Sequence, residues 1–200
     1  GLSVVGLLPA SLLHIPIEKI LLGARKTSWK EAYTLACHQY AQYKSKKNIV
    51  SLFSYSEALS AFSEWYIQLL AESIGKTKKI GITPMKAMGV KDQHSQLQLF
   101  LDGPDDKFYI FLKPQTSIHE SSLQKLFDAE YLGVKGAFKK RKKPFVEISF
   151  PKISEETLGE LLFFFELEVA FLGMLFDIDF ENQPAVELSK KLTRSILKKI

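Results

Sequence analysis

Cysteine is nearly absent from this sequence. The single residue, Cys37, cannot close an intrachain disulfide, and no Cys/His spacing of a metal site accompanies it. The chain is therefore expected to fold without disulfide or metal, in a reducing compartment, with the cytoplasm as the default location. Long apolar runs are missing as well. The most apolar stretch, Leu161 to Phe176, is interrupted by Glu166 and Glu168 and falls below the ~18 uninterrupted residues that a membrane-spanning helix needs, so it predicts a buried helix and no membrane partner. The opening GLSVVGLLPASLLHIP has no basic region and is cut by Pro9 and Pro16, which argues against a signal peptide. Internal repeats and low-complexity segments are absent too.

What is present is the balance of an ordinary globular protein, with 46% hydrophobic and 24% charged residues in 200, enough to bury a core. The net charge of +5 resides in one place. Lys139, Lys140, Arg141, Lys142 and Lys143 stand together, and without them basic and acidic residues number 22 each. The run ends an amphipathic segment before Pro144, where cations favour the negative end of a helix dipole. With no interleaved aromatics or recognition motif, it reads as a solvated helix end rather than a nucleic-acid site.

Periodicity then organises the chain. Apolar residues from Trp29 to Tyr43 recur at helical spacing, and Ile49 to Phe53 is the short apolar run of a buried strand. Ser54 with Glu57 forms a capping-box pattern, which predicts a helix through Trp65 to Ile74, closed by Gly75. Glycine and proline in Lys79 to Gly89 suggest a short strand around Ile80 to Ile82 followed by a loop, with Asp92 capping a helix over Gln93 to Phe100. Further on, a strand is expected at Phe108 to Leu112, a helix over Ser121 to Lys140, and a strand in PFVEISF. Ser154, Glu156 and Thr157 open a long helix to Phe176, and Val186 to Ile200 forms a last one. Alternating strands and helices predict an α/β fold, a mainly parallel sheet with helices on both faces, followed by C-terminal helices. Ligands of such sheets bind beyond the carboxyl ends of the strands, so the chain after Phe53, Ile82 and Leu112 attracts attention.

Few residues carry chemistry on their own. Gln68 and Glu72, four apart, put an amide and a carboxylate side by side on one helix face, where both could grip one ligand. Taken alone, the pair is more simply an exposed helical Glu beside a polar neighbour. His94 stands near an expected helix start, where the dipole favours a neutral imidazole able to give or take a proton; by itself it is as readily structural. His14, His38 and His119 have no such context, and Lys190 alone is one more solvated lysine.

Five segments, in order along the chain, change this picture. SVVGLLPA, FSEWYIQLLAESIGK, GVKDQHSQLQLFLDGPDDK, LGELLFFFELEVAFLG and FENQPAVELSKKL resemble successive motifs of the phosphoglucose isomerase family. The resemblance implies a sugar-isomerase (SIS-type, flavodoxin-like) domain over 29–150, preceded by a lead-in segment at 1–28 and followed by a helical segment at 151–200. It implies interconversion of glucose 6-phosphate and fructose 6-phosphate in glycolysis and gluconeogenesis, through a cis-enediol and without metal or organic cofactor. It makes Glu72 the catalytic base, Gln68 and Gln183 substrate contacts, and His94 and Lys190 the ring-opening residues, with His94 reaching the neighbouring subunit's site in a homodimer. Glu181, Ala185 and Ser189 depart from the family's terminal signature, which has an aromatic residue and two glycines there. The family's N-terminal sugar-isomerase domain, with its phosphate-holding serine and threonine loop, has no counterpart here, nor has the arginine of its GGRxS segment. The 200 residues alone are therefore expected to be inactive. A noncatalytic sugar-phosphate-binding regulatory domain of the same fold is the alternative, and the joint presence of Glu72, His94 and Lys190 favours the enzyme, since a sensor needs no proton shuttle.

Overall fold

A computed structural model describes residues 2–115 and 121–198. Three helices lead in: α1 (Val4–Leu12), α2 (Ile17–Arg25) and α3 (Trp29–Lys44). Then come β1 (Ile49–Ser54), α4 (Ser60–Ile74), β2 (Thr83–Met88), α5 (Leu97–Asp102), β3 (Lys107–Pro114), α6 (Ser122–Lys140), β4 (Phe145–Phe150), α7 (Glu155–Phe176) and α8 (Pro184–Leu197). The four strands are all parallel, in the order β2-β1-β3-β4. This is the expected α/β arrangement, and the strand alternation shows why both faces are covered. Val50 and Leu52 of β1 join Phe108, Ile110 and Leu112 of β3 in one core beneath α3, α4 and α7. Phe53, Tyr109 and Phe111 point the other way, where Phe100 of α5 and Phe138 of α6 complete an aromatic cluster. Phe111 and Phe138 meet edge to face there at 5.1 Å.

Helix α2 lies against the start of α7 through two glycines. A Cβ at Gly23 would stand 1.8 Å from the Glu156 carbonyl oxygen and one at Gly159 1.9 Å from that of Ile20, so neither position admits a side chain. The helix start expected at Ser154 is present, and Ser121 turns out to cap α6, each side chain accepting a hydrogen bond from the backbone N–H three residues on. The basic run closes α6, where Arg141 pairs with Asp102 and Lys143 with Asp105. Lys47, ahead of Lys143, holds the Asp105 carboxyl below its usual value.

Three local expectations are corrected. Ser54 does not cap α4: it ends β1, and its hydroxyl meets that of buried Ser63 at 2.7 Å, while a 3-10 turn over Glu57–Leu59 precedes the helix. The second strand is not at Ile80 to Ile82 but begins at Thr83 and runs through Pro84. Proline is admitted because β2 is an edge strand and Pro84 faces away from β1. Asp92 lies in a 3-10 turn and caps no helix; α5 starts five residues later, so His94 is not at a helix start either. His119 and the end of the last helix at Ile200 lie outside the described residues. No helix among those residues is long and apolar enough to cross a membrane.

Candidate active site at the end of α4

Helix α4 is held from below. Phe62, Tyr66, Leu70 and Ile74 bury its inner face, which leaves Gln68 and Glu72 together on the outer one. The Gln68 side-chain amide donates to Glu72 Oε1 at 2.8 Å. A second amide arrives from far along the chain, for Gln183, just before α8, donates to Glu72 Oε2 at 3.2 Å. Each carboxylate oxygen thus accepts one bond and keeps lone-pair capacity for another. Beside the pair opens a cavity of about 280 Å³, lined by Glu72, Lys76, Gln183, Ala185 and Val186 with the backbone at Ala71 and Gly75.

The turn that delivers Gln183 has its own supports. Asp177 ends α7 in the left-handed region (φ 53°), and Asp179 Oδ1 accepts from the N–H groups of Glu181 and Asn182. Lys76, one residue past Gly75, donates its ammonium to the Asn182 carbonyl and so ties this turn to the end of α4. Residue-by-residue reading missed Lys76, although it closes the AESIGK segment that carries Glu72.

His94 and Lys190 are not brought to this cluster within the chain. His94 is exposed in the turn after β2 and does not line the cavity. That turn is well fixed. Burial pushes the Asp92 carboxyl up, but bonds from the Ser95 hydroxyl at 2.7 Å, the Met88 N–H at 2.7 Å and Gln96 outweigh it and hold the group below its usual value. Lys190, exposed on α8, pairs with Glu187 at 2.8 Å one turn earlier. Among the described residues no group of three His, Cys, Asp or Glu could hold a metal ion.

Comparison with known proteins meets this geometry. Residues 114–200 match the family described as phosphoglucose isomerase. A glucose-6-phosphate isomerase of Carboxydothermus hydrogenoformans is 36% identical over 98% of this chain and 50% of its own length. One of Methanocaldococcus jannaschii is 35% identical over 98% of this chain and 54% of its own. The chain is homologous to phosphoglucose isomerases. It spans about half the length of the curated relatives it matches. Among solved structures, a hypothetical protein of Thermus thermophilus superposes with a TM-score of 0.81 at 31% identity, over 98% of this chain and 54% of that one. A glucose-6-phosphate isomerase of Chlamydia trachomatis shares the fold, with a TM-score of 0.67 at 22% identity over 76% of this chain and 35% of its own.

The phosphoglucose isomerase match takes in Gln183 and Lys190, and the longer alignments extend over α4 as well. Of the departures from the terminal signature, Ala185 bears on the site directly, because it lines the cavity beside Glu72.

Proposed function

We propose that this chain is the C-terminal half of a glucose-6-phosphate isomerase and that Glu72 is its catalytic base. The observation that carries the reading is the Glu72 carboxylate gripped on both oxygens by Gln68 and Gln183, 111 residues apart in sequence from Glu72 to Gln183, at the mouth of a cavity. Shifting a hydrogen between C2 and C1 of an open-chain sugar phosphate needs one carboxylate that takes a proton from one carbon and returns it to its neighbour. Two fixed amide donors orient Glu72 for that transfer and leave lone pairs for the proton in flight. No metal is needed for a proton shuttle along a cis-enediol.

The substrate is mainly a closed ring, so ring opening requires a donor and an acceptor at the ring oxygen and the C1 hydroxyl. His94 and Lys190 are proposed for these tasks. In a homodimer His94 would enter the partner subunit's site, in keeping with its exposure away from Glu72. Lys190 would be positioned when α8, exposed from Ala185 to Leu197, docks on the missing N-terminal sugar-isomerase domain.

Two measurements test the assignments of Glu72 and His94. In the full-length enzyme Glu72→Gln should lower kcat by roughly 100- to 10,000-fold with the fold intact. Mixing Glu72→Gln with His94→Ala subunits should restore activity through hybrid dimers that hold one intact site. Undiminished turnover in the first variant would end the base assignment; mixtures that restore nothing would return His94 to a site within its own chain.

A further inference from the structure

His94 is assigned above to ring opening, yet its imidazole is exposed and hydrogen-bonds to nothing among the described residues. A ring with no bond of its own points where its backbone points it. The turn between β2 and α5 therefore decides its direction, and that turn is anchored on both sides of His94. Asp92 straddles it: Oδ2 accepts from the Met88 N–H, at the end of β2, and Oδ1 from the Ser95 hydroxyl, each at 2.7 Å. The Gln93 amide donates to the Tyr55 hydroxyl at 3.3 Å, and the Gln96 amide to the Lys86 carbonyl at 3.3 Å. Asp92, Gln93 and Gln96 are accordingly half-buried, whereas His94 between them faces solvent.

Tyr55, the residue after β1, is the firmest of these supports. It is buried, stacked on Phe53 at 5.0 Å and edge-on to Tyr131 at 4.6 Å, so the aromatic cluster fixes its ring. The turn packs directly on that ring, for a Cβ at Gly89 would stand 2.4 Å from it, and the Gly89 N–H donates to the Ser54 carbonyl at 2.9 Å. The ends of β1 and β2 thus both hold the turn. Neither Asp92 nor Tyr55 lines the cavity beside Glu72.

We propose that Asp92 and Tyr55 are positioning residues for His94: they touch neither substrate nor Glu72, and they act by fixing the turn from which the imidazole is aimed. The chemistry asks for such fixing. A group that moves a proton at a sugar oxygen must come within hydrogen-bond reach of that one atom, and a misplacement of about 1 Å can cost 100-fold. Asp92 suits the task because bonds to a carboxylate are roughly twice as strong as those between neutral groups, and its two oxygens clamp the turn behind His94 and ahead of it. Tyr55 suits it because its hydroxyl is carried on a ring with no freedom to follow the turn. The inference rests on the proposed role of His94 and adds to it the groups that aim it.

Kinetics of the full-length enzyme test it. Asp92→Ala should lower kcat by about 10- to 100-fold while KM changes by less than about threefold. Asp92→Asn, whose amide can still accept from Met88 and donate to the Ser95 hydroxyl, should recover most of that loss. Tyr55→Phe removes one hydroxyl and keeps the ring, and should lower kcat about threefold to tenfold. The deciding measurement repeats Asp92→Ala and Tyr55→Phe in the His94→Ala background. There each should cost less than about twofold, because a residue that acts through the imidazole has nothing to aim once it is gone. Equal costs with and without His94 would overturn the proposal, making the two residues supports of the fold, and would leave His94 its role. Unchanged kcat in both single variants would overturn it too. If His94→Ala itself leaves kcat unchanged, the ring-opening assignment falls and takes the proposal with it.

Discussion

Helices α4 and α8 meet at one carboxylate and could hardly be held more differently. Leu70 and Ile74 on α4 are fully buried against the sheet, whereas on α8 Leu188, Leu192 and Ile196 are more than half exposed and every residue from Ala185 to Leu197 is exposed. The side that carries Glu72 is therefore preorganised by this chain. The side that carries Lys190 hangs on the turn before it. On the proposed reading, in which Glu72 is the base, the difference teaches where a divided site keeps its precision: the base is placed on the element with the deepest anchorage, and Lys190 on one that this chain leaves uncovered.

The largest expected effect is on activity. If α8 waits for the rest of the protein, the 200 residues alone should turn over fructose 6-phosphate at less than about one-thousandth of the full-length rate, because remote binding groups orient the reacting carbons and one missing charge stabiliser alone can be worth 100- to 1,000-fold. A coupled assay at high protein concentration decides it. Turnover near that of the full-length enzyme would erase the contrast between the helices.

Stability should divide along the same line. Leu70→Ala removes a fully buried side chain and should cost about 3 kcal/mol, read as a fall in the denaturant midpoint. Leu192→Ala, more than half exposed, should stay within about 0.5 kcal/mol in the 200-residue chain and cost more once the other half is present. Equal costs in the short chain would mean that α8 is anchored after all.

A smaller effect lies beneath α4. Glu168 of α7 is fully buried, and burial pushes its carboxyl up to about 8. It accepts from Tyr66 at 3.4 Å, whose hydroxyl in turn accepts from Gln39 at 2.8 Å. Because the folded value lies above the unfolded one, the folded state holds the proton longer, so stability falls as pH rises from about 4.5 toward 8 and levels off beyond. Glu168→Gln cannot ionise and should flatten that decline, making the variant more stable by about 1–3 kcal/mol at pH 8. Parallel pH profiles of the melting temperature would sink the idea that α4 rests on a protonated acid.

Much of this architecture was legible from residues alone, and the exceptions share a cause. The helix starts at Ser121 and Ser154 and the apolar runs of β1 and β3 could be read because local chemistry and tertiary packing agree there. The strand over Thr83 to Met88 was hidden by Pro84, which is forbidden in a central strand and harmless at an edge, and edge position is a tertiary fact. Asp92 does cap a backbone N–H as its type suggests, but that of Met88 on a strand, behind it rather than ahead. Within the candidate site the pairing of Gln68 with Glu72 follows from helix geometry. The approach of Gln183 to the same carboxylate depends on how α7 ends, and spacing cannot reveal it; only family resemblance pointed there.

Lys76 offers the finest probe of the contrast, since, beside the Gln183 bond to Glu72 itself, it binds the turn before α8 to the end of α4. Its bond to the Asn182 carbonyl is exposed, so Lys76→Met should cost no more than about 1 kcal/mol, a shift of about 2–4 °C in a chain of this size. Its consequence for Glu72 is expected to be larger than that figure suggests. Freed from Lys76, the turn keeps the Asp179 bonds, which shape it internally, and the bond from Ile178 N–H back to α7, so its hydrogen bonding to α4 rests on Gln183 itself. Gln183 would then reach Glu72 less often, and the carboxylate would lose one of its two orienting donors. In the full-length enzyme kcat should drop about threefold to tenfold while KM changes less, because orientation of the base acts on the transition state more than on the bound sugar. Amide exchange at Glu181 and Asn182 should quicken in step. If kcat and exchange both stay unchanged, the turn is held by other contacts, and the dependence of the α8 side on the α4 anchor would have to be given up.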